Sequence, residues 1–448
     1  MEASQKELKL FHLTWPIFLE LFLFMLMGIA DTFMLSALSD DAVSGVGAAN
    51  QFIQIAILIL GVVGAGAGIV VSQYLGSQRF EEATKISALS ITLNLMIGCG
   101  IGLGFLLSAK PLMVLMNLQG DVLHFAQTYL KIVGGTIFLQ AIITSLSAII
   151  RVNGKTMHTM YVSLVMNIIH LVLNYLLIFG KFGFPSLGVE GAALSSAISR
   201  VAAIVILFYL FYRVLVVKMR MHYYYTLSKE YISKILKIGI PAALEEILYH
   251  VCQVIFLYYV TYLGTESLAA RQYAMNISTI MYLCATAIGM GTAILVGRFV
   301  GAGEQTKAYD TVWKSVKAAL IFTIFIVAIV TLLREPIIGL FTDDPNVIHT
   351  ASSVLVFSMF LETGRTINIT IINSLRASGD SRFPVKIGFL SMLCMSVPLG
   401  YVLVFVFDLG LLGVWLAVTT DEWVRAIIVL YRWKSKHWQR YAIITPKQ

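Results

Sequence analysis

Twelve stretches of this chain are each long and apolar enough to cross a lipid bilayer, and the second six repeat the first six. They run over about 10–38, 43–74, 86–108, 122–150, 160–180, 187–213, 234–262, 268–298, 312–333, 347–375, 384–407 and 410–433, against the roughly 20 residues that span the hydrocarbon as a helix. The longer ones are expected to tilt or to project into water. Their apolar runs are continuous rather than alternating, which predicts helices and not membrane strands. The composition agrees. The chain is 58% hydrophobic and 12% charged, where a soluble chain is about a quarter charged. Lipid must therefore be the solvent for most of it.

The repeat holds an offset of about 225 residues in order along the chain. Pro16 and Glu20 match Pro241 and Glu245, and Asn50 matches Asn276. Gly64, Gly66 and Gly76 match Gly289, Gly291 and Gly301. Arg151-Val-Asn-Gly154 matches Arg376-Ala-Ser-Gly379, and Leu187-Gly188-Val-Glu-Gly191 matches Leu409-Gly410-Leu-Leu-Gly413. Six spans are an even number, so both halves enter from the same side and the repeat is parallel. The expected fold class is an all-α integral membrane protein with twelve transmembrane helices in two six-helix bundles. The expected division is an amino-terminal lobe 1–213, a linker 214–233 and a carboxy-terminal lobe 234–448. Two such bundles can rock about the cleft between them, which is the geometry of alternating access.

Charge placement gives the orientation. Lysines and arginines gather in alternate loops, among them Arg79 and Lys85, Arg151 and Lys155, Lys218 and Arg220, Lys307, Arg376 and Arg382, and at both ends of the chain in Lys6, Lys9, Lys434, Arg440 and Lys447. The other loops keep Lys110, Lys181 and Arg334 beside the acidic pairs Asp40-Asp41 and Asp343-Asp344. The positive-inside rule then puts both termini in the cytoplasm of a protein of the cell (inner) membrane. The net charge of +8 is spread over these loops rather than gathered on one face, which excludes nucleic acid as a partner. The first apolar stretch is too long for a signal peptide. Cys99, Cys252, Cys284 and Cys394 all lie in apolar runs without metal-ligand or disulfide spacing, and are read as small buried hydrophobes.

Polar groups inside the spans each need a reason, since a central carboxylate costs about 2.5–3.5 kcal/mol on insertion scales. Glu20 and Asp31 are eleven residues apart and share one face of the first helix, about 16 Å apart along it. Ser163, Asn167, His170 and Asn174 make one polar stripe on the fifth span, and an imidazole there is able to titrate near neutral pH. In the second half, adjacent Glu245 and Glu246 point about 100° apart, so at least one faces the cleft, with His250 one turn beyond Glu246. Glu20, Glu245, Glu246 and His250 are the candidates for a substrate or second ion site. Glu362 with Arg365, and Asp421 with Arg425, have the spacing of buried ion pairs. Lys131 and Arg271 lie near span ends and are expected to snorkel. The Gly64-Ala-Gly66-Ala-Gly68 run is read as a close helix contact, not a phosphate loop, because no lysine follows it.

Several motifs together resemble the multidrug and toxic compound extrusion (MATE) family. These are Ile29-Ala-Asp31-Thr-Phe-Met34 followed by Ala48-Ala-Asn50-Gln51, then Val71-Ser-Gln73-Tyr-Leu-Gly76, Asn174-Tyr-Leu-Leu-Ile-Phe-Gly180 and Gly188-Val-Glu-Gly191-Ala-Ala. The second half adds Gly239-Ile-Pro241-Ala-Ala-Leu-Glu245 and Leu375-Arg376-Ala-Ser-Gly379-Asp380. The resemblance covers about 10–435. It implies a bacterial-type secondary antiporter that exports small cationic amphipathic compounds in exchange for inward H+ or Na+. It also implies an ion site around a first-helix aspartate, which Asp31 matches. The family's fifth-helix asparagine and aspartate stand here as His170 and Asn174, and Ser196 is the candidate hydroxyl from the sixth helix. Asp31 is thus the candidate Na+ ligand. The loss of one carboxylate, however, tells against a full sodium cage and favours a proton on Asp31 or shared with His170.

A flippase for lipid-linked oligosaccharides is the alternative within the same superfamily. Such proteins tend to carry cationic cavities, whereas the intramembrane charges here are largely acidic. No nucleotide-binding domain or intramembrane-protease motif is present, so neither an ATP-driven pump nor an enzyme is expected. No resident cofactor is implied, and the expected assembly is a monomer surrounded by membrane lipid.

Overall fold

The computed structural model describes residues 8–444; Lys6 and Lys447 lie outside them. Among the described residues the secondary structure is entirely helical. In chain order the long helices are α1 (Leu10–Ser36), α2 (Asp40–Gly76), α3 (Phe80–Leu115), α4 (Gly120–Gly134 with Ile137–Val152), α5 (Thr156–Phe179) and α6 (Val189–Val214). There follow α7 (Lys229–Thr261), α8 (Thr265–Gly301), α9 (Gln305–Leu332), α10 (Pro345–Ser378), α11 (Arg382–Val406) and α12 (Gly410–Lys434). Ten of these are long and apolar enough to span a membrane, and α4 is an eleventh, bent by 45° at the break between Gly134 and Ile137. The twelfth, α12, is about 37 Å long, and what sets it apart is Asp421, Glu422 and Arg425 buried in its middle.

The chain divides into two compact units, Met1–Gly239 and Ile240–Gln448. The segment between α6 and α7 and the start of α7 are held within the first unit. Thr92 Oγ1 donates to the Tyr224 carbonyl at 2.9 Å, and Lys234 Nζ donates to Tyr74 Oη at 2.9 Å.

In unit 1, α2 is the central helix, and its small residues set its distance to its neighbours. A side chain at Gly64 would meet Thr144 on α4, and one at Gly45 would meet Val122 and Phe125. Apolar burial drives no association in lipid, so close packing and interhelical hydrogen bonds must hold the helices together. Asn94 on α3 shows this, donating to Ala141 O and Ser145 Oγ on α4, both at 3.0 Å. The α1–α5 contact is the polar one. Thr159, Ser163, Asn167, His170 and Asn174 all face α1 and bond to it along its length.

In unit 2, α10 packs between α8, α9 and α12. A side chain at Gly289 on α8 would touch Ile369 and Asn373 on α10. Thr323 and Thr366 share a 2.8 Å hydrogen bond between α9 and α10, and Trp415 Nε1 donates to Ser358 Oγ at 3.0 Å between α12 and α10. α10 ends at Gly379, whose φ of +102° lets the chain reverse three residues after Arg376. Gly154, at φ +82°, follows Arg151 in the same way at the end of α4.

Candidate functional site

The polar stripe of α5 meets the acidic face of α1, and the outer part of that contact is built around Asp31. Its Oδ1 lies 2.8 Å from His170 Nε2 and accepts from Asn174 Nδ2 at 2.7 Å. His170 and Asn174, one turn apart on α5, are 2.9 Å from each other and buried. Asp31 is the accessible member, with its side chain 28% exposed. From α6, Ser199 Oγ approaches His170 Nδ1 at 3.4 Å while donating to the Ser196 carbonyl at 3.1 Å.

Ser196 itself donates to the Ala192 carbonyl at 3.2 Å and not to Asp31. The hydroxyl that reaches this cluster from α6 is therefore Ser199, because the α5–α6 contact turns that residue toward His170. Two further groups join the site that the sequence reading did not single out. Tyr129 on α4 is buried beside Ser196. Arg200 on α6 lies within electrostatic reach of both Asp31 and Tyr129, and its NH1 is buried without a hydrogen-bond partner. A lone arginine in the middle of a span was the available signal for it.

Glu20 occupies a separate site. It accepts from Thr159 Oγ1 at 3.1 Å and Ser163 Oγ at 3.4 Å, and lies 3.5 Å from Arg151 NH1. The corresponding pair in unit 2 is Glu245 with Arg376, at 2.8 Å. Both members of each pair belong to the repeat, so the same carboxylate–guanidinium contact ties the first helix to the fourth in each unit. Arg151 and Arg376 are thus not loop residues. They sit in the last turns of α4 and α10 and reach inward.

Glu245 and Glu246 both line a cavity of about 240 Å³ in unit 2, with Tyr249, Arg365, Arg376 and Glu422 among its other walls. Glu246 is exposed. His250 is also exposed and is not part of this wall; Tyr249 takes that place. Behind the cavity the two anticipated pairs are present, Glu362–Arg365 and Asp421–Arg425, each at 2.8 Å. Glu422, unforeseen beside Asp421, joins them into one chain of contacts. Arg271 does not snorkel: it is 7% exposed and donates to the Gln253 carbonyl and Oε1. Lys131 is exposed. The intramembrane charges are consequently close to balanced rather than largely acidic; among the described residues Asp31 and Glu246 are the mid-span carboxylates in no ion pair with a guanidinium.

Sodium is a hard cation and prefers several oxygen ligands. Here Asp31 Oδ1 already faces two nitrogen groups, and the second carboxylate of the expected set is Asn174. The buried, unpartnered Oδ1 of Asn174 is one further oxygen at the site. With one carboxylate and a histidine among its members, the set is poorer in oxygen donors than a sodium cage calls for.

The MatE family model matches residues 16–176 and 241–402. The uncharacterized transporter YisQ of Bacillus subtilis is 39% identical over 98% of this chain and 96% of its own length. The probable multidrug resistance protein NorM of Thermotoga maritima is 29% identical over 99% of this chain and 96% of its own. The Vibrio cholerae MATE transporter VcmN, solved in the bent form, superposes with a TM-score of 0.89 at 19% identity, covering 97% of this chain and 98% of that one. This last likeness speaks to the fold: twelve helices in two bundles.

Proposed function

Because the chain belongs to the MatE family of multi-pass membrane transporters, we propose that it is a proton-coupled exporter of small cationic amphipathic compounds, with the coupling proton held between Asp31 and His170. The observation that carries this reading is the 2.8 Å contact between His170 Nε2 and Asp31 Oδ1. With the Ser199 hydroxyl hydrogen on the Ser196 carbonyl, Ser199 is an acceptor at His170 Nδ1, and in that tautomer Nδ1 carries the ring hydrogen. Nε2 of the neutral ring is then an acceptor as well. Two acceptors at 2.8 Å need a proton between them. In that tautomer the pair holds one proton more than neutral histidine and ionised aspartate would together.

Losing that proton changes the packing. Asn174 can still donate to both atoms, but the bare nitrogen and the bare carboxylate oxygen repel at that distance. α1 and α5 are held together along this stripe, so proton loss favours their separation at the Asp31 end. Arg200 supplies a built-in countercharge for the ionised carboxylate, which removes the need for a metal cation. A ligand shifts such an equilibrium only through different affinities for its two states, and the proton has that difference here.

Asp31, partly exposed, and Glu246, exposed and outside every ion pair, are the carboxylates left to meet a cationic cargo. In this reading both termini face the cytoplasm of the bacterial cell membrane, the protein works as a monomer, and it has neither enzymatic activity nor a resident cofactor. Efflux of a fluorescent lipophilic cation from vesicles tests it. An imposed pH gradient should drive transport of the native protein while a sodium gradient does not, and Asp31→Asn should abolish the response. Ser199→Ala, which removes the acceptor at Nδ1, should move the pH profile without abolishing transport. Transport by Asp31→Asn at the native level, or driven by sodium alone, refutes the proposal.

A further inference from the structure

We propose that unit 2 carries a second proton-binding site, separate from Asp31: a buried chain of five side chains in which Glu362 and Asp421 share one proton at neutral pH. The chain runs from Glu362 to Arg365 (2.8 Å), from Arg365 to Glu422 (3.5 Å), from Glu422 to Arg425 (2.9 Å) and from Arg425 to Asp421 (2.8 Å). No member has a side chain more than 10% exposed, and Glu362 is fully buried. Three carboxyls face two guanidinium groups. Arginine keeps its charge in proteins, so the cluster carries one negative charge too many unless a carboxyl holds a proton. An uncompensated carboxylate in such surroundings is strongly unfavourable.

The hydrogen bonds show where the proton belongs. Glu422, in the middle, is fully used: Oε1 faces both arginines and Oε2 accepts from Asn368 Nδ2 at 2.7 Å. The two end carboxyls are each half used. Glu362 Oε2 and Asp421 Oδ1 are buried without a hydrogen-bond partner. Each has a buried serine hydroxyl close by, Ser278 on α8 and Ser391 on α11, near enough to interact but not in a well-formed hydrogen bond. A proton on either end oxygen makes it a donor that the neighbouring hydroxyl can accept.

The other groups facing the cluster do not cancel the surplus. Tyr249 and Cys252 approach from α7 as neutral side chains, and Tyr282 on α8 places its ring 5.0 Å from the Arg365 guanidinium. Glu245, also on α7, is matched by Arg376. Arg271 is bonded to Gln253 and sits seven residues before Ser278, about 10 Å along the helix. The cavity that Glu245 and Glu246 line also exposes Arg365, Glu422 and Arg425, so a proton has a polar route to the cluster.

The test is infrared spectroscopy of the purified, lipid-reconstituted protein at pH 7, read at the carbonyl stretch of protonated carboxyl groups. Because it needs no transport, it succeeds or fails independently of the Asp31 reading. In an Asp31→Asn background the band should persist. Adding Glu362→Gln, or separately Asp421→Asn, should abolish it, since either change leaves the cluster neutral with no proton to hold. Glu245→Gln should leave it unchanged. The two isosteric variants are independent, so misfolding of one leaves the other as the test. A spectrum with no protonated carboxyl in the Asp31→Asn protein, or a band that survives both variants, overturns the proposal.

Discussion

The repeated carboxylate–guanidinium pair offers a quantitative test, because the two copies differ in what would happen on losing the arginine. In unit 2 the Glu245–Arg376 contact is 2.8 Å with side chains 9% and 17% exposed; in unit 1 the Glu20–Arg151 contact is 3.5 Å with 15% and 18%. At an effective dielectric constant of about 20, the gross attractions are about 6 and about 5 kcal/mol, so distance alone separates them little. What is left behind separates them more. Without Arg151, Glu20 still accepts from Thr159 and Ser163, and each such bond is worth about 1 kcal/mol net. Without Arg376, Glu245 loses the one hydrogen-bond donor it has among the described residues. Arg376→Ala should therefore cost about 3–5 kcal/mol, the loss expected when one partner of a buried pair is removed, and Arg151→Ala about 1–2 kcal/mol. The assay is equilibrium unfolding of the detergent-solubilised protein by dodecyl sulfate, run as two double-mutant cycles with Glu245→Gln and Glu20→Gln. Coupling should be about 2–3 times larger in unit 2. Equal couplings, or a larger one in unit 1, would refute the reasoning that residual hydrogen bonds decide the difference.

Two further outcomes follow from packing and can be read in the same unfolding assay. Gly191→Ala should cost about 2–3 kcal/mol, because the new methyl would press on the Leu177 backbone, which cannot rotate away; Gly104→Ala, with open space around it, should gain about 0.5–1 kcal/mol. Asn94→Ala should cost about 1 kcal/mol by removing the two hydrogen bonds that join α3 to α4.

The spans were legible because apolar runs of bilayer length leave little freedom, and each predicted stretch coincides with a helix to within several residues. α12 was read correctly in spite of its charges, because hydropathy on both sides of Asp421 spans the gap. The polar stripe of α5 was legible from helical spacing alone, and it does face the acidic side of α1. Pairings across helices were harder. Glu20, Arg151, Glu245 and Arg376 were all matched in the repeat, yet the arginines were assigned to loops. Arg-x-x-Gly reads as a turn, and only the structure shows that the arginine precedes the turn and points back along its helix. Ser196 and Ser199 lie three residues apart on one face of α6, so spacing could not choose between them. Glu422 was hidden beside Asp421, and Arg200 showed only as a lone charge in a span, with nothing in its spacing to name its neighbours on α1 and α4.

The two units differ in how they use the duplicated helices. Both kept the anchoring pair at the first and fourth helices. At the repeat position of Asp31, however, unit 2 has Phe256, buried against Gly400, so its first helix has no carboxylate eleven residues beyond Glu245. Its other buried carboxylates lie on α10 and α12, locked among arginines. In unit 1 the anchor at Glu20 and the Asp31 contact proposed to hold the coupling proton are on the same face of α1, about 16 Å apart. An anchor at one end and a contact that becomes repulsive at the other make α1 a lever rather than a sliding rod. The displacement on proton loss is then largest at the Asp31 end and smallest near Arg151. Strengthening the anchor should therefore leave the pH response of α1 intact, whereas removing the nitrogen partner at His170 should eliminate it.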